Sequence, residues 1–171
     1  MPSTASHGGD PATTSSPPAE EHVVVFSLDG EHYALDIQVV QEIVRMQSIT
    51  AIPGSEPWLE GITNLRGRVT PVVDLRRRCG VPAQETTPET RIIVVSSAAG
   101  AAGLIVDAVS EVIRIPADQI EQPNSIVSAQ EHTYLRGIAK LDDRLVSLMD
   151  LDGILMAGGG AEQLESAADA A

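Results

Sequence analysis

Val40-Gln41-Glu42-Ile43-Val44-Arg45 and Val109-Ser110-Glu111-Val112-Ile113-Arg114 show the same pattern 69 positions apart. At that shift Val24-Val25 also falls on Ile93-Val94. A shift of 76 superposes a second set: Gly61-Ile62 on Gly137-Ile138, Leu65 on Leu141, Arg68 on Arg144, Asp74-Leu75 on Asp150-Leu151. The shift grows because Ile115–Arg136 is longer than its counterpart Met46–Glu60. Two matches in the same order indicate an internal duplication. A unit of this length, roughly 70 residues, is too long for a solenoid repeat. It suits two small β-barrels, each with about five short strands. A barrel that small buries little surface per residue. The two are therefore expected to pack together, share a third apolar layer and fold as one all-β unit over residues 20–156.

Outward from the repeat, His22–Leu28 and Glu31–Ile37 read as strands around Asp29-Gly30, a hairpin signal. Gly61–Leu65 and Val69–Leu75 flank Arg66-Gly67 in the same way. A short helix or turn is expected at Ile37–Glu42, leading into a strand. Asp74–Arg78 suits one helical turn, stopped by Gly80 and Pro82. Arg91–Val95 and Gly103–Val106 read as strands, and Ala83–Glu89 as a polar connector. Asp150–Met156 reads as a last strand running into a short C-terminal helix. Residues 1–19, rich in Ser, Thr, Pro and Gly, lack the apolar content to offset ordering and read as a disordered lead-in. Residues 157–171 open on Gly158–Gly160 and read as a flexible acidic tail.

The 171 residues carry 24 acidic against 11 basic side chains, a formal charge of −13. The lead-in contributes −1 and the tail −3, which leaves −9 on the body. Such a body repels nucleic acid and anionic membrane surfaces. The aromatics are Phe26, Tyr33, Trp58 and Tyr134, too few for a base-stacking platform. One cysteine excludes an intrachain disulfide framework. No apolar run approaches the ~20 residues of a membrane span, and no export signal opens the chain. A soluble, intracellular protein is expected.

No catalytic constellation emerges. Apart from the weak pair His132 and Glu131, the histidines His7, His22, His32 and His132 lack partners at metal-ligand spacing and read as surface residues, so neither metal nor cofactor is expected. Cys79 follows Arg76-Arg77-Arg78; those charges would lower its pKa, but no base accompanies it, and an incidental thiol is the plainer reading. The arginine run itself is either a docking patch for an acidic partner or a solvated turn at a helix C-terminus. Trp58, between Pro57 and Gly61, is either a partner anchor or a lid over one barrel. Glu42 and Arg66 stand in otherwise apolar runs. They either form a buried or semi-buried ion pair that orders Asn64–Gly67, or are two exposed charges that never meet. The whole points to a binding or scaffolding module.

At these residues the chain resembles the CheW family, the bacterial chemotaxis coupling proteins. The resemblance rests on Tyr33-Ala34-Leu35-Asp36-Ile37, Val40-Gln41-Glu42-Ile43, Gly61-Ile62-Thr63-Asn64-Leu65-Arg66-Gly67 and Pro71-Val72-Val73-Asp74-Leu75, with no gap between Tyr33 and Leu75. In the second half Gly103-Leu104-Ile105-Val106-Asp107-Ala108-Val109 is similar to the family's GxxVDxV element. Ala34 departs from a frequent glycine, and the glycines from Gly158 shorten the usual C-terminal helix.

The resemblance implies two packed SH3-like five-stranded barrels with short helices and no enzymatic activity. It implies binding to the regulatory domain of a CheA-type histidine kinase and to the cytoplasmic tip of methyl-accepting chemotaxis receptors. The location implied is the cytoplasm, at membrane-associated receptor arrays. Carried over by position, Glu42 and Arg66 match a salt bridge used in receptor coupling. Val40, Gly61 and Gly67 match positions near the receptor-facing groove, and Ile37 a position associated with kinase docking. Two alternatives remain at this point. One is a similar adaptor of a parallel receptor–kinase pathway, such as pilus-driven motility. The other is a small-ligand binder with a pocket between the barrels.

Overall fold

The computed structural model describes residues 19–82, 85–98, 100–122 and 134–156. The lead-in up to residue 18, the acidic tail, His7 and His132 lie outside the described residues. The strands are β1 (Glu20–Leu28), β2 (Glu31–Asp36), β3 (Val40–Arg45), β4 (Leu59–Leu65), β5 (Arg68–Asp74), β6 (Arg91–Ser97), β7 (Gly100–Val106), β8 (Ala108–Pro116), β9 (Ile120–Glu121), β10 (Leu135–Leu141) and β11 (Arg144–Met149). Helix α1 is Leu75–Arg78 and α2 is Leu151–Met156. Both expected hairpins form. Asp29-Gly30 and Arg66-Gly67 all take positive φ, the two-residue geometry that follows the strand twist. The turn before β3 is shorter than expected, a single 3-10 turn at Ile37–Val39 whose first free amide is capped by Asp36. At the other end β11 stops at Met149 and the helix starts at Leu151, so none of Asp150–Met156 is strand.

The strands form two sheets. One runs β8-β1-β2-β11-β10-β9, the other β3-β6-β7-β5-β4. The all-β, two-barrel expectation holds, but the barrels are not the two halves of the chain. Each takes its first hairpin from one repeat and its remaining strands from the other. β1–β2 lies between β8 and β11, and β6–β7 lies between β3 and β5. The exchange preserves register. The parallel pairs Ala34↔Leu148 and Gly103↔Val72 occupy equivalent places. The irregularities match as well: Gln41 in β3 and Ser110 in β8 are left unpaired, as are Glu60 in β4 and Arg136 in β10. The first sheet counts six strands because the turn Ala117–Gln119 splits β9 from β8.

Each sheet closes by the same device. After pairing along one edge, the third strand of the barrel bends and reaches the opposite edge. In the second barrel Thr50 exchanges two backbone hydrogen bonds with Ile62, at 2.8 and 2.9 Å. In the first, Glu121 pairs with Ile138, the repeat counterpart of Ile62. The backbones approach so closely that the residue beside each crossing is glycine. A Cβ on Gly61, at φ 150°, would lie 2.1 Å from the Thr50 carbonyl oxygen. One on Gly137 would lie 2.7 Å from Ile120 Cγ2.

Three apolar clusters result. Val23, Val25, Ala34, Ile115 and Leu148 help fill the first barrel, and Leu65, Val72, Ile92, Val94 and Ile105 the second. The largest lies between them and takes Phe26, Leu28 and Leu35 from one side and Ile93, Val95 and Leu104 from the other, with Trp58, Leu151, Ile154 and Leu155. This is the expected shared layer. The central strands are buried on both faces, so they read as continuous apolar runs rather than alternating ones. Burying each such Leu, Ile or Phe contributes about 1.5–3 kcal/mol.

Gly61→Ala is expected to lower stability by about 2–4 kcal/mol through backbone strain and overpacking. Gly137→Ala should cost less, because its nearest obstacle is a side-chain methyl. Thermal unfolding of both variants checks the order.

Candidate functional site

The hairpin turn after β4 brings the two sequence-selected charges together. Arg66 Nη2 lies 3.1 Å from Glu42 Oε1. The Arg66 side chain is 82% exposed and that of Glu42 30%, so the pair is formed but not buried. Water and salt screen it, and its contribution to folding is small, about 0–1 kcal/mol. It does not order the turn either. Asn64 does so, its Oδ1 accepting the Gly67 amide at 2.9 Å. Gly67 is exposed at the turn itself, whereas Gly61 is buried at the barrel closure. Val40 is half-buried against the inter-barrel layer, and half-buried Ile37 lies in the turn ahead of it. The carried-over residues thus occupy a band from the inter-barrel layer to the outer hairpin of the second barrel. Beside it a groove of about 510 Å³ runs between Ser48, Thr50, Ile62, Asn64 and Val69.

The surface of this band is repeated on the first barrel. The large exposed hydrophobic residues among those described are Ile43, Val69, Val112 and Leu145. At the shifts of 69 and 76, Ile43 corresponds to Val112 and Val69 to Leu145. Glu42 corresponds to Glu111, which pairs with Arg144, the counterpart of Arg68. Each barrel therefore carries two exposed aliphatic side chains and one Glu–Arg pair, groups suited to reversible protein contacts.

The arginine run forms the last turn of α1, as one of the two sequence readings had it, but only Arg77 is solvated there. Arg76 is buried between Asp74 and Asp107, at 3.0 Å from each. Desolvation opposes its charge, but the two carboxylates outweigh that and hold the guanidinium above its ordinary pKa. Asp107 also accepts the Asp29 amide at 2.7 Å, so the cluster ties α1 to the first hairpin across the barrel junction. Arg78 stacks over Trp58 at 4.4 Å and Tyr134 at 5.8 Å, and donates to the Ile154 carbonyl at 2.6 Å. Trp58, 9% exposed, acts as a lid on the shared layer. The signal for this clamp was present but unread: at the shift of 76, Trp58 falls on Tyr134 and Arg78 on Ile154. Their backbones match too, with Trp58 O accepting from Asp74 and Tyr134 O from Asp150.

Burial pushes the Cys79 thiol up to about 12, against the opposing charge of Arg78, so the incidental reading fits it. Among the described residues no group of His, Cys, Asp and Glu is placed to hold a metal. No described helix is long and apolar enough to cross a membrane.

Fold and surface define a duplicated docking module whose two barrels present related contact faces. A CheW-like domain model matches residues 22–158. The chain is similar to the chemotaxis protein CheW of Bacillus subtilis, 37% identical over 135 residues, covering 79% of this chain and 86% of that one. The crystal structure of the scaffolding protein TtCheW from Thermoanaerobacter tengcongensis superposes with a TM-score of 0.76 at 42% identity, covering 82% of this chain and 96% of that one. A more distant relative is Protein PilI of Pseudomonas aeruginosa, 29% identical over 116 residues, covering 66% of this chain and 64% of that one. The chain belongs to the CheW family of chemotaxis coupling adaptors.

Two contrasting charge substitutions separate surface from core. Arg66→Ala should change stability by less than about 1 kcal/mol. Arg76→Ala leaves two carboxylates without their buried partner and should cost about 3–5 kcal/mol. Denaturant titration reads both. Cys79 should resist alkylation at pH 8 in the folded chain and react once it is unfolded. Because the folded thiol titrates higher than its ordinary value of 9.0, the unfolded chain ionises first, and stability should fall as pH rises from 9 toward 12.

Proposed function

We propose that this chain couples the cytoplasmic tips of chemoreceptors to the regulatory domain of a CheA-type histidine kinase, as a scaffold and not as an enzyme. The observation that carries the reading is the recurrence, on each barrel, of two exposed aliphatic side chains and one Glu–Arg pair. Two related faces allow one adaptor to hold two partners. In such a lattice, contacts that are individually weak gain from avidity. The receptor is a helical hairpin, and it docks by laying an apolar stripe along the band containing Val40, Glu42, Gly61, Arg66 and Gly67. Ile37 belongs to the kinase contact. The adaptor acts in the cytoplasm and joins receptor arrays at the membrane through these proteins, without inserting itself.

Transmission of a signal requires a contact that differs between two receptor states. The exposed Glu42–Arg66 pair suits that role: it contributes little to the fold, so a partner can rearrange it at low cost. Arg66→Glu should leave the unfolding midpoint nearly unchanged, since Arg66 already holds a positive φ as a non-glycine. It should weaken receptor-dependent control of kinase autophosphorylation. A reconstituted receptor–kinase assay checks this; normal control by the variant removes Arg66 from the coupling contact. Pulldown with kinase and receptor fragments tests the whole reading, and capture of neither rejects it. The relation to Protein PilI keeps service in a pilus-linked pathway as the second reading, decided by which receptor and kinase are captured.

A further inference from the structure

We propose that the cavity between α1 and the first barrel is a binding site for a small, neutral, planar aromatic molecule. The proposal adds an accessory site to the scaffold and does not depend on which partners it couples.

The cavity, of about 270 Å³, opens where the end of α1 meets β2, β10 and β11. Cys79, the C-cap of α1, lines one part of it. Tyr33 and Ser147, register partners on adjacent parallel strands, line another. Tyr134 and Met149 complete the contact with the first barrel.

The duplication supplies an internal comparison. At the shifts of 69 and 76, Tyr134 corresponds to Trp58, Cys79 to Leu155, Ser147 to Pro71 and Tyr33 to Ala102. Those four counterparts are all buried, and Trp58, Leu155 and Ala102 belong to the shared layer. Tyr134, Cys79, Ser147 and Tyr33 instead stay half-buried around open space. The same backbone plan thus packs shut at one junction and leaves room at the other. The Tyr33 ring is held at the margin by stacking with Phe26, their centroids 6.2 Å apart.

The lining sets the chemistry of the ligand. On a chain with a formal charge of −13, no acidic or basic side chain lines this cavity. Arg78 lies nearby but is engaged by Trp58, Tyr134 and the Ile154 carbonyl. A charged ligand would lose its hydration there without a counter-charge, so a neutral one is favoured. The phenol rings of Tyr33 and Tyr134 and the sulfur atoms of Cys79 and Met149 are polarisable groups that suit an aromatic ring. The Ser147 hydroxyl supplies a polar handle. An apolar cavity of roughly 150 Å³ already holds benzene, so this one accommodates one or two fused rings.

The test uses the full chain, with indole as the neutral probe, benzoate as the charged one and methyl NMR of labelled methionines as the readout. Indole should shift the Met149 methyl signal in a saturable way. It should leave in place that of Met46, which packs against the interior of the second barrel. Benzoate should shift neither. Cys79→Leu, which installs the side chain of the counterpart position, should fill the cavity and weaken indole binding about tenfold or more. Ser147→Ala should keep the fold and weaken it about threefold. No response at Met149 overturns the site. So do equal responses at Met149 and Met46, benzoate binding as tight as that of indole, and full-strength indole binding by both variants. The two probes on the unaltered chain, together with Ser147→Ala, decide the matter even where Cys79→Leu does not fold.

Discussion

The apolar layer between the barrels draws on every part of the chain: Phe26 and Leu28 from the first hairpin, Trp58 and Val73 from the middle, Leu104 and Val106 from the third hairpin, Ile154 and Leu155 from the last helix. It is larger than either barrel interior, and the hairpin exchange makes it so. With β1–β2 seated between β8 and β11, the first barrel is complete only with strands from both ends of the described chain, and the second only with β6–β7 from the other repeat. Small barrels of this kind bury too little to stand alone. Exchange and shared layer together join the two barrels in one packed body.

Polar structure at the junctions follows from the same arrangement. Where the chain passes from one barrel to the other, backbone and charge must be satisfied away from water. Asp107 does this at one crossing, accepting the Asp29 amide with one carboxylate oxygen and Arg76 with the other. A buried ion cluster adds little net stability over an apolar filling, but losing one member is costly. Its consequence here is geometric: α1 and the first hairpin are held in a single orientation. Arg78, between Trp58 and Tyr134, does the same near the axis of the duplication, with a cation–π contribution of about 0.5–2 kcal/mol.

The duplication extends to what the core leaves over. Interior positions are occupied twice, once for each barrel, and so are the outer ones: Ile43 with Val112, Val69 with Leu145, Glu42 with Glu111. Duplication thereby supplies two related faces on one rigid body, a sound basis for an adaptor. The faces are not identical, because Arg66 pairs with Glu42 while Arg144, the counterpart of Arg68, pairs with Glu111.

Much of this was legible in the residues. Asp29-Gly30 and Arg66-Gly67 announce their hairpins because a tight turn with positive φ is a local requirement. The duplication announces two barrels and a shared layer because the same apolar spacing returns in the same order. The Glu42–Arg66 pair could be named, though not its exposure, since burial depends on what the rest of the chain places around a side chain. The arginine run shows the same limit. Arg76, Arg77 and Arg78 are neighbours in sequence, yet the fold buries the first, leaves the second half exposed and stacks the third on two aromatics. Sequence by itself determined the local geometry and the repeat, because both are written in spacings of a few residues or one fixed shift. Only the tertiary structure decided which hairpin completes which barrel, because strand exchange leaves every local pattern unchanged and is settled by packing between residues 81 to 96 positions apart.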